Sequence, residues 1–392
     1  MKIRVAMIFG GKSVEHEVSV ISGIQALKSL DTEKYEPVPV YLTKENEMYT
    51  GEDIGKIEAY KDIPALLSRS ERRLLVKEEG VVRLIPAEEK KFRKADRIEI
   101  DVAFPVVHGT NVEDGAFQGF LKTVGVPFVG CDVTASAVGM DKYIQKLVLK
   151  EQGIPVLPAK QYVLSDYAKT EALMDDIEKT FGYPVIVKPV NLGSSVGIGV
   201  AKDREELSLR LDDAFRYATK VLVEHAITNL REVNCAVLGD ENEAIASECE
   251  EPMHTAQILS YEDKYVGGGK SKSQGMATLK RKIPADLYPE KREEVRALAV
   301  KAFQALGCSG VSRIDFMVDC DAEALYFNEI NTIPGSLAFY LWEPVGIPYP
   351  ALLDRMIALA LKRQRTEEGL TFAFDTNILA SATFGGSKGG KV

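Results

Sequence analysis

Residues 313–331, RIDFMVDCDAEALYFNEIN, constrain this chain more than any other stretch. Two runs rich in Ile, Phe, Val, Leu and Tyr flank the polar turn signal CDAEA, which predicts a β-hairpin. Strand side chains alternate between faces. Ile314, Phe316 and Val318 therefore point one way, and Arg313 and Asp315 the other. Glu329 and Asn331 share a face of the return strand. A turn centred near Ala322 sets Asp315 opposite Glu329 and Arg313 opposite Asn331. Like charges directly opposite destabilise a strand pair, so something positive belongs between them. Two readings fit. One is a divalent cation held by carboxylate and amide oxygens, which Mg²⁺ prefers alongside substrate phosphates. The other is a solvated face on which Arg313 pairs with Asp315.

The rest of the chain sets the frame for this hairpin. Its 392 residues suggest two or three domains, or lobes around one active site. A net charge of −9 argues against general nucleic-acid binding. The opening MKIRVAMIFGG lacks signal-peptide architecture, and no apolar run is long enough for a bilayer. Cys131, Cys235, Cys249, Cys308 and Cys320 are scattered, without CxxC spacing, and read as reduced thiols. The chain reads as soluble and cytoplasmic.

KIRVAMIFGG, SVEHEVSVISGIQALKSL and YEPVPVYLT predict a β-α-β start, with Val20, Ile24 and Leu27 on one helix face. Residues 43–100 are charged and irregular, with short strand-like pieces such as GVVRLIP, and look like a surface elaboration. IEIDVAFPVVHG predicts another strand, ending at His108. TASAVGMDKYIQKLVLKEQ predicts one helix with Met140, Ile144, Leu147 and Val148 on its apolar face, ended by Gly153 and Pro155. Its Lys142, Lys146 and Lys150 form an i, i+4 stripe, most simply a solvated face. The Gly/Ser/Lys-rich tail has the composition of a disordered segment.

Other stretches offer chemistry. PVIVKPVNLGSSVGIGV reads as strand, Gly-rich loop, strand. Gly193, Ser194, Ser195 and Gly197 leave backbone N–H groups open to an anion. Lys188, ending an apolar strand, either snorkels or reaches a phosphate. Glu224, after the strand VLVEH, either bonds a base or ribose or serves as a cap or ion-pair partner, and Glu232 shares those alternatives. Glu15 opens a helix, where a carboxylate suits the dipole and could meet a substrate ammonium. His108 follows a strand at the kind of position where open α/β sheets bind ligands.

Taken together, FGGKSVEHEVSVISG, HGTNVEDGAFQG, ASAVGMDK, VKPVNLGSSVG, YEDKY, RIDFMV and NEINTIPG resemble the D-alanine–D-alanine ligase family of the ATP-grasp superfamily, from about residue 1 to residue 362. The resemblance implies an α/β (α+β) fold of three lobes, the first a Rossmann-like parallel-sheet lobe. The boundaries expected are 1–133, 134–227 and 228–370, with a tail at 371–392. ATP would lie between the second and third lobes. Two Mg²⁺ (or Mn²⁺) ions would be held by Asp315, Glu329 and Asn331. Lys142 and Lys188 match phosphate-binding lysines, and Ser194 and Ser195 the loop that covers the phosphates. Glu224, the Ile227 backbone and Glu232 match adenine and ribose contacts. Glu15 matches the residue that binds the first substrate's ammonium, with His108 beside that substrate. Ser194 and Tyr265 match Glu15's partners across the lobes. Lys264 is the neighbouring ω-loop lysine. Arg313 and the Gly335 N–H match the groups that stabilise the tetrahedral oxyanion. The implied product is D-alanyl-D-alanine for peptidoglycan, made through a D-alanyl phosphate. The implied partners are small molecules and a second copy of the chain, with no nucleic acid and no membrane.

The match fails in places. Where the family carries a Ser-Leu pair that binds the second substrate's carboxylate, SLAFYLWEP places Tyr340-Leu341. Val112 stands where Gly is general, and His225 where Lys is common. The ω-loop, YEDKYVGGGKSKSQGMATLKRK, is long, Gly-rich and basic. Tyr265 weighs towards an amino-acid acceptor, since ester-forming members lack it. The acceptor stays open between D-alanine and D-serine or another amino acid. A non-catalytic ATP-binding module is the rival from another class. Retention of Lys264, Arg313 and the Glu15–Ser194–Tyr265 set argues against it.

Overall fold

The computed structural model describes residues 2–88, 96–193, 196–253 and 281–373. Among them the chain forms three sheets. The first begins as expected. β1 (Ile3–Gly10) runs into α1 (His16–Ser29) and β2 (Tyr35–Leu42), and β1 pairs in parallel with β2. Gly10 and Gly11 sit at φ +101° and +99°. A Cβ on Gly10 would stand 2.2 Å from the Leu42 carbonyl oxygen, and one on Gly11 2.5 Å from Val112 Cγ1. Only glycine lets the strand turn so tightly into the helix, and that turn brings Glu15 to the helix start.

Residues 43–100 are not merely a surface elaboration. β3 (Met48–Thr50), α2 (Ile63–Ser68), β4 (Glu71–Glu78), β5 (Val81–Pro86) and β6 (Ile98–Glu99) extend the sheet. The added strands pair antiparallel, and β7 (Val102–Val106) lies parallel to β1 on the other side. The order is β6-β5-β4-β3-β2-β1-β7. Alternation on Arg73 and Leu75, and on Val82 and Leu84, buries one face amid a charged sequence.

α3 (Ala116–Val124) precedes α4 (Val133–Met140) and α5 (Lys142–Glu151). The single helix expected over these last residues is two. Asp141 leaves the helical region and caps α5, its carboxylate accepting from Tyr143 N at 3.0 Å and Ile144 N at 2.9 Å. The predicted apolar face is also wrong. Ile144 and Leu147 are 39% and 48% exposed, while Lys142, Gln145, Lys146 and Leu149 are buried.

The second sheet is antiparallel, order β10-β9-β11-β8. Its strands are β8 (Ala159–Val163), β9 (Val185–Pro189), β10 (Gly199–Ala201) and β11 (Lys220–His225). α6 (Leu164–Tyr167), α7 (Thr170–Phe181) and α8 (Arg204–Phe215) accompany it, and Leu173, Ile177, Leu207 and Leu211 fill its core.

The third sheet comprises β12 (Leu230–Gly239), β13 (Ala244–Pro252), β14 (Arg281–Lys282), β15 (Gly310–Asp319) and β16 (Ala324–Asn331), in the order β14-β13-β12-β15-β16. α9 (Pro289–Ala305) packs on it, and α10 (Tyr349–Glu368) follows a 3-10 turn at Gly335–Leu341. That turn and α10 join the first core through Leu337, Leu341, Trp342, Leu353 and Ile357. The β15–β16 hairpin has the expected register: Asp315 faces Glu329, Arg313 faces Asn331, and Ile314 faces Ile330. Beyond Asp315 the register shifts by one, Phe316 facing Phe327, so Asn328 is an extra residue in a bulge. Among the described residues no helix is long and apolar enough to cross a membrane. The tail is described only as far as residue 373.

Candidate functional site

The site grows from the polar face of α5. Lysines are rarely fully buried unless paired, and here each has an acceptor. Lys146 Nζ lies 2.7 Å from Glu224 Oε2, and Lys188 Nζ lies 2.5 Å from Glu224 Oε1. Lys188 Nζ also donates to Asn328 Oδ1 at 3.0 Å. Lys142 Nζ donates to the Leu192 carbonyl at 2.7 Å and pairs with Glu329 Oε2 at 2.9 Å. Gln145 Oε1 accepts from Ile330 N at 3.1 Å. Helix, second sheet and hairpin thus meet through charged groups. Glu224 has no exposed surface. Burial alone would raise its pKa, but Lys188 and Lys146 outweigh burial and hold it at about 2. Burial lowers that of Lys146 in spite of Glu224.

On the hairpin face, Arg313 grips Asp315 with two bonds of 2.7 Å, from Nε to Oδ1 and from Nη2 to Oδ2. Asn331 Nδ2 adds a third at 3.1 Å. Burial still pushes the Asp315 pKa up to about 6. Arg313 opposes the rise, while Glu329 and Glu250 add to it. The pairing expected of a solvated face is therefore present, but in a buried setting.

The first sheet closes the site from the other side. His108 N donates to Ser19 Oγ at 2.9 Å. Its Nδ1 lies 2.7 Å from the Ile333 carbonyl, and its Nε2 lies 3.0 Å from Ser22 Oγ. Burial lowers its pKa to about 4; the Ile333 carbonyl opposes this, and Arg313 adds to it. Glu113 joins the same two segments. Its Oε2 accepts from Gly109 N at 3.0 Å, and its Oε1 from Ile333 N at 2.8 Å and Thr332 Oγ1 at 3.2 Å. Burial raises its pKa to about 7, against the Gly109 N–H and helped by Glu15. Glu15 itself lies against two glycines: a Cβ on Gly193 would come within 2.7 Å of its Oε2, and one on Gly109 within 2.9 Å. The Gly193 loop therefore reaches the start of α1.

Comparison with known proteins places this arrangement. A D-Ala–D-Ala ligase N-terminus model matches residues 4–131, and the corresponding C-terminus model matches residues 148–358. The chain belongs to the D-alanine–D-alanine ligase family. A D-alanine–D-alanine ligase of Caldicellulosiruptor bescii is 41% identical over 382 residues, covering 95% of this chain and 99% of that one. The structure of the Coxiella burnetii D-alanine–D-alanine ligase is 29% identical, with a TM-score of 0.76 over 94% of this chain and 96% of its own. An Enterococcus faecalis D-Ala:D-Ser ligase is 31% identical, also at 0.76, over 92% of this chain and 100% of its own. The fold is accordingly ATP-grasp.

Of the residues expected for a member of this ligase family, Glu15, His108, Lys142, Lys188, Glu224, Arg313, Asp315, Glu329 and Asn331 fall within this connected set. Ser194, Ser195, Lys264 and Tyr265 lie outside the described residues. Ile227 follows β11 half-buried, and Glu232 sits on β12 opposite Met317. Gly335 opens the 3-10 turn, Tyr340 is half-buried, and Leu341 has no exposed surface and packs in the first core. Lys146 and Glu113 were missed. The spacing of Lys146 predicts a solvated lysine, and nothing in HGTNVEDG alone tells Glu113 from a loop carboxylate.

The hairpin fits a divalent cation on its own chemistry. Two carboxylates stand directly opposite each other with an amide alongside, and repulsion from Glu329 helps to raise the Asp315 pKa. Among the described residues no three His, Cys, Asp or Glu side chains converge as a metal cluster. Two carboxylates and an amide leave positions for substrate phosphate oxygens.

Proposed function

We propose that this chain is an ATP-dependent, ADP-forming D-alanine–D-alanine ligase serving peptidoglycan precursor synthesis. The observation that carries this reading is the convergence of Lys142, Lys146 and Lys188 with the Asp315–Glu329 hairpin, a cationic wall facing a carboxylate pair. In the reaction, a carboxylate oxygen of the first D-alanine attacks the γ-phosphorus of ATP and ADP leaves. The amine of the second D-alanine attacks the carbonyl carbon of the resulting D-alanyl phosphate. The amine loses a proton, the tetrahedral centre collapses and phosphate leaves. Phosphoryl transfer needs mainly positioning and charge neutralisation. Lys142 and Lys188 would hold the phosphates, with Ser194 and Ser195 covering them. Glu224, Ile227 and Glu232 would bound the adenosine. Glu15 and His108 would seat the first D-alanine, and Ser194, Lys264 and Tyr265 would close the site against water. Arg313 and the Gly335 N–H would meet the oxyanion. Asp315, Glu329 and Asn331 would hold Mg²⁺ or Mn²⁺, two ions by resemblance, which neutralise charge on the transferring phosphoryl group.

D-serine as acceptor is the second reading. It is favoured by Tyr340 in place of the family's serine and by likeness to a D-Ala:D-Ser ligase. The test is incubation with ATP, Mg²⁺ and D-alanine, alone and with D-serine, D-lactate or L-alanine. Phosphate release is followed and products are identified by mass spectrometry. D-alanyl-D-alanine as main product supports the first reading, and D-alanyl-D-serine the second. Absence of D-alanine-dependent phosphate release sinks both. Light scattering of the same sample tests the homodimer that the resemblance implies.

A further inference from the structure

The segment that departs from the family leads to a cluster the reaction has not yet used. Ser336, Leu337 and Ala338 stand in succession at φ +52°, +52° and +50°. Left-handed backbone is costly for residues with a Cβ, and this turn is pinned by Ser336 N donating to Ser22 Oγ at 2.9 Å. It delivers Tyr340 to Arg281, whose guanidinium lies 3.9 Å over the centre of the Tyr340 ring. Arg281 Nη1 donates to Glu250 Oε2 at 2.7 Å. The Tyr340 hydroxyl donates to Glu250 Oε1 at 3.3 Å, and Asn234 Nδ2 donates to the same oxygen at 3.1 Å. Asn234 pairs with Asp315 across β12 and β15, so the cluster adjoins the hairpin face.

Tyr340 stands where, by resemblance, a serine hydroxyl binds the acceptor's carboxylate. Its own hydroxyl is turned to Glu250. A buried ion pair is rarely more stabilising than apolar side chains of the same volume, so fold stability alone gives little reason for one here. A guanidinium held over an aromatic ring and steered by a carboxylate is suited to a planar anion. We infer that Arg281, stacked on Tyr340 and oriented by Glu250, recognises the carboxylate of the acceptor amino acid, the task a hydroxyl performs elsewhere in the family. Arg281 and Tyr340 touch the acceptor, and Glu250 and Asn234 position them. This rests on the proposed ligase activity.

The test partitions one intermediate between two nucleophiles. With ATP, Mg²⁺, D-alanine and hydroxylamine together, D-alanyl phosphate is captured by the D-alanine amine as dipeptide or by hydroxylamine as hydroxamate, with phosphate leaving in either case. Hydroxylamine brings its nitrogen without a carboxylate. Arg281→Ala should lower the dipeptide-to-hydroxamate ratio about 30-fold, the scale of a lost charge-assisted contact. Arg281→Lys keeps a cation opposite Glu250, which guards the fold, yet cannot stack flat; the ratio should fall about tenfold. Unchanged ratios in both variants, whether or not total turnover falls, would make Arg281 a structural clamp and overturn the inference. A wild-type protein that makes neither product overturns the ligase reading itself, and the inference with it.

Discussion

Two buried charge clusters face each other across the site, and burial has opposite outcomes in them. Glu224 stands between Lys146 and Lys188, one anion for two cations, and its pKa is held at about 2. Asp315 has Arg313 against it but Glu329 across the strand, and its pKa rises to about 6. Desolvation acts on both carboxylates. The sign of the result is set by the neighbours. The first cluster carries surplus positive charge, suited to phosphates. The second carries paired carboxylates, suited to a metal ion.

The comparison breaks most visibly at Glu224. Glu224→Gln leaves two buried lysines without their counter-charge and should cost about 4 kcal/mol of stability. Urea denaturation reads this, and a loss below about 1 kcal/mol would show that the lysines are solvated in solution.

His108 extends the contrast to a base. Its pKa lies at about 4 in the fold against 6.5 ordinarily. The unfolded chain therefore binds the proton first. The stabilisation is fully present above pH 6.5 and is lost as pH falls towards 4, by about 3 kcal/mol. Melting measured over that range in the wild type and in His108→Asn should show a shallower slope in the variant. Equal slopes would place the titration elsewhere.

Glu329→Gln should leave the melting temperature nearly unchanged, because Lys142 keeps the Leu192 carbonyl and Asp315 loses a like-charged neighbour. D-alanine-dependent phosphate release should fall about 100-fold, or about 2.7 kcal/mol in the barrier. A large drop in stability with little loss of turnover would reverse the roles given to the two clusters. The smallest effect lies outside both. Ser336→Gly removes left-handed strain and a buried hydroxyl that has no hydrogen-bond partner among the described residues. It should add about 1 kcal/mol of stability, and thermal melting would show whether it does.

The hairpin was legible because a two-residue period and one turn signal fix which side chains share a face. The β-α-β start was legible from its flanking Gly-Gly and its apolar runs. The face of α5 was not. An amphipathic reading sends lysines to water, yet here the helix turns Lys142 and Lys146 towards a cluster built from two other sheets, and Ile144 and Leu147 outward. No local pattern carries that information, because the acceptors lie far along the chain. Glu224 posed the same difficulty, since its partners lie 78 and 36 residues earlier. Of the antiparallel extension over residues 43–100 only GVVRLIP, now β5, reads as a strand; the rest is hidden by short strands among charged residues.

The bulge at Asn328 has a consequence best put as a reading frame. Along β16 the core takes Leu325 and Phe327, then Ile330. Strict alternation would have sent Glu329 and Asn331 inward with Leu325 and Phe327. One extra residue shifts the frame, so a single strand writes core in its first half and site in its second. Deleting Asn328 would keep Glu329 opposite Asp315 and Phe327 opposite Phe316, at the cost of the Asn328 bond to Lys188. Ironing the bulge flat with Asn328 still in place would invert every side chain on one half of the strand, either driving Glu329 and Asn331 into hydrocarbon or turning Leu325 and Phe327 out to water.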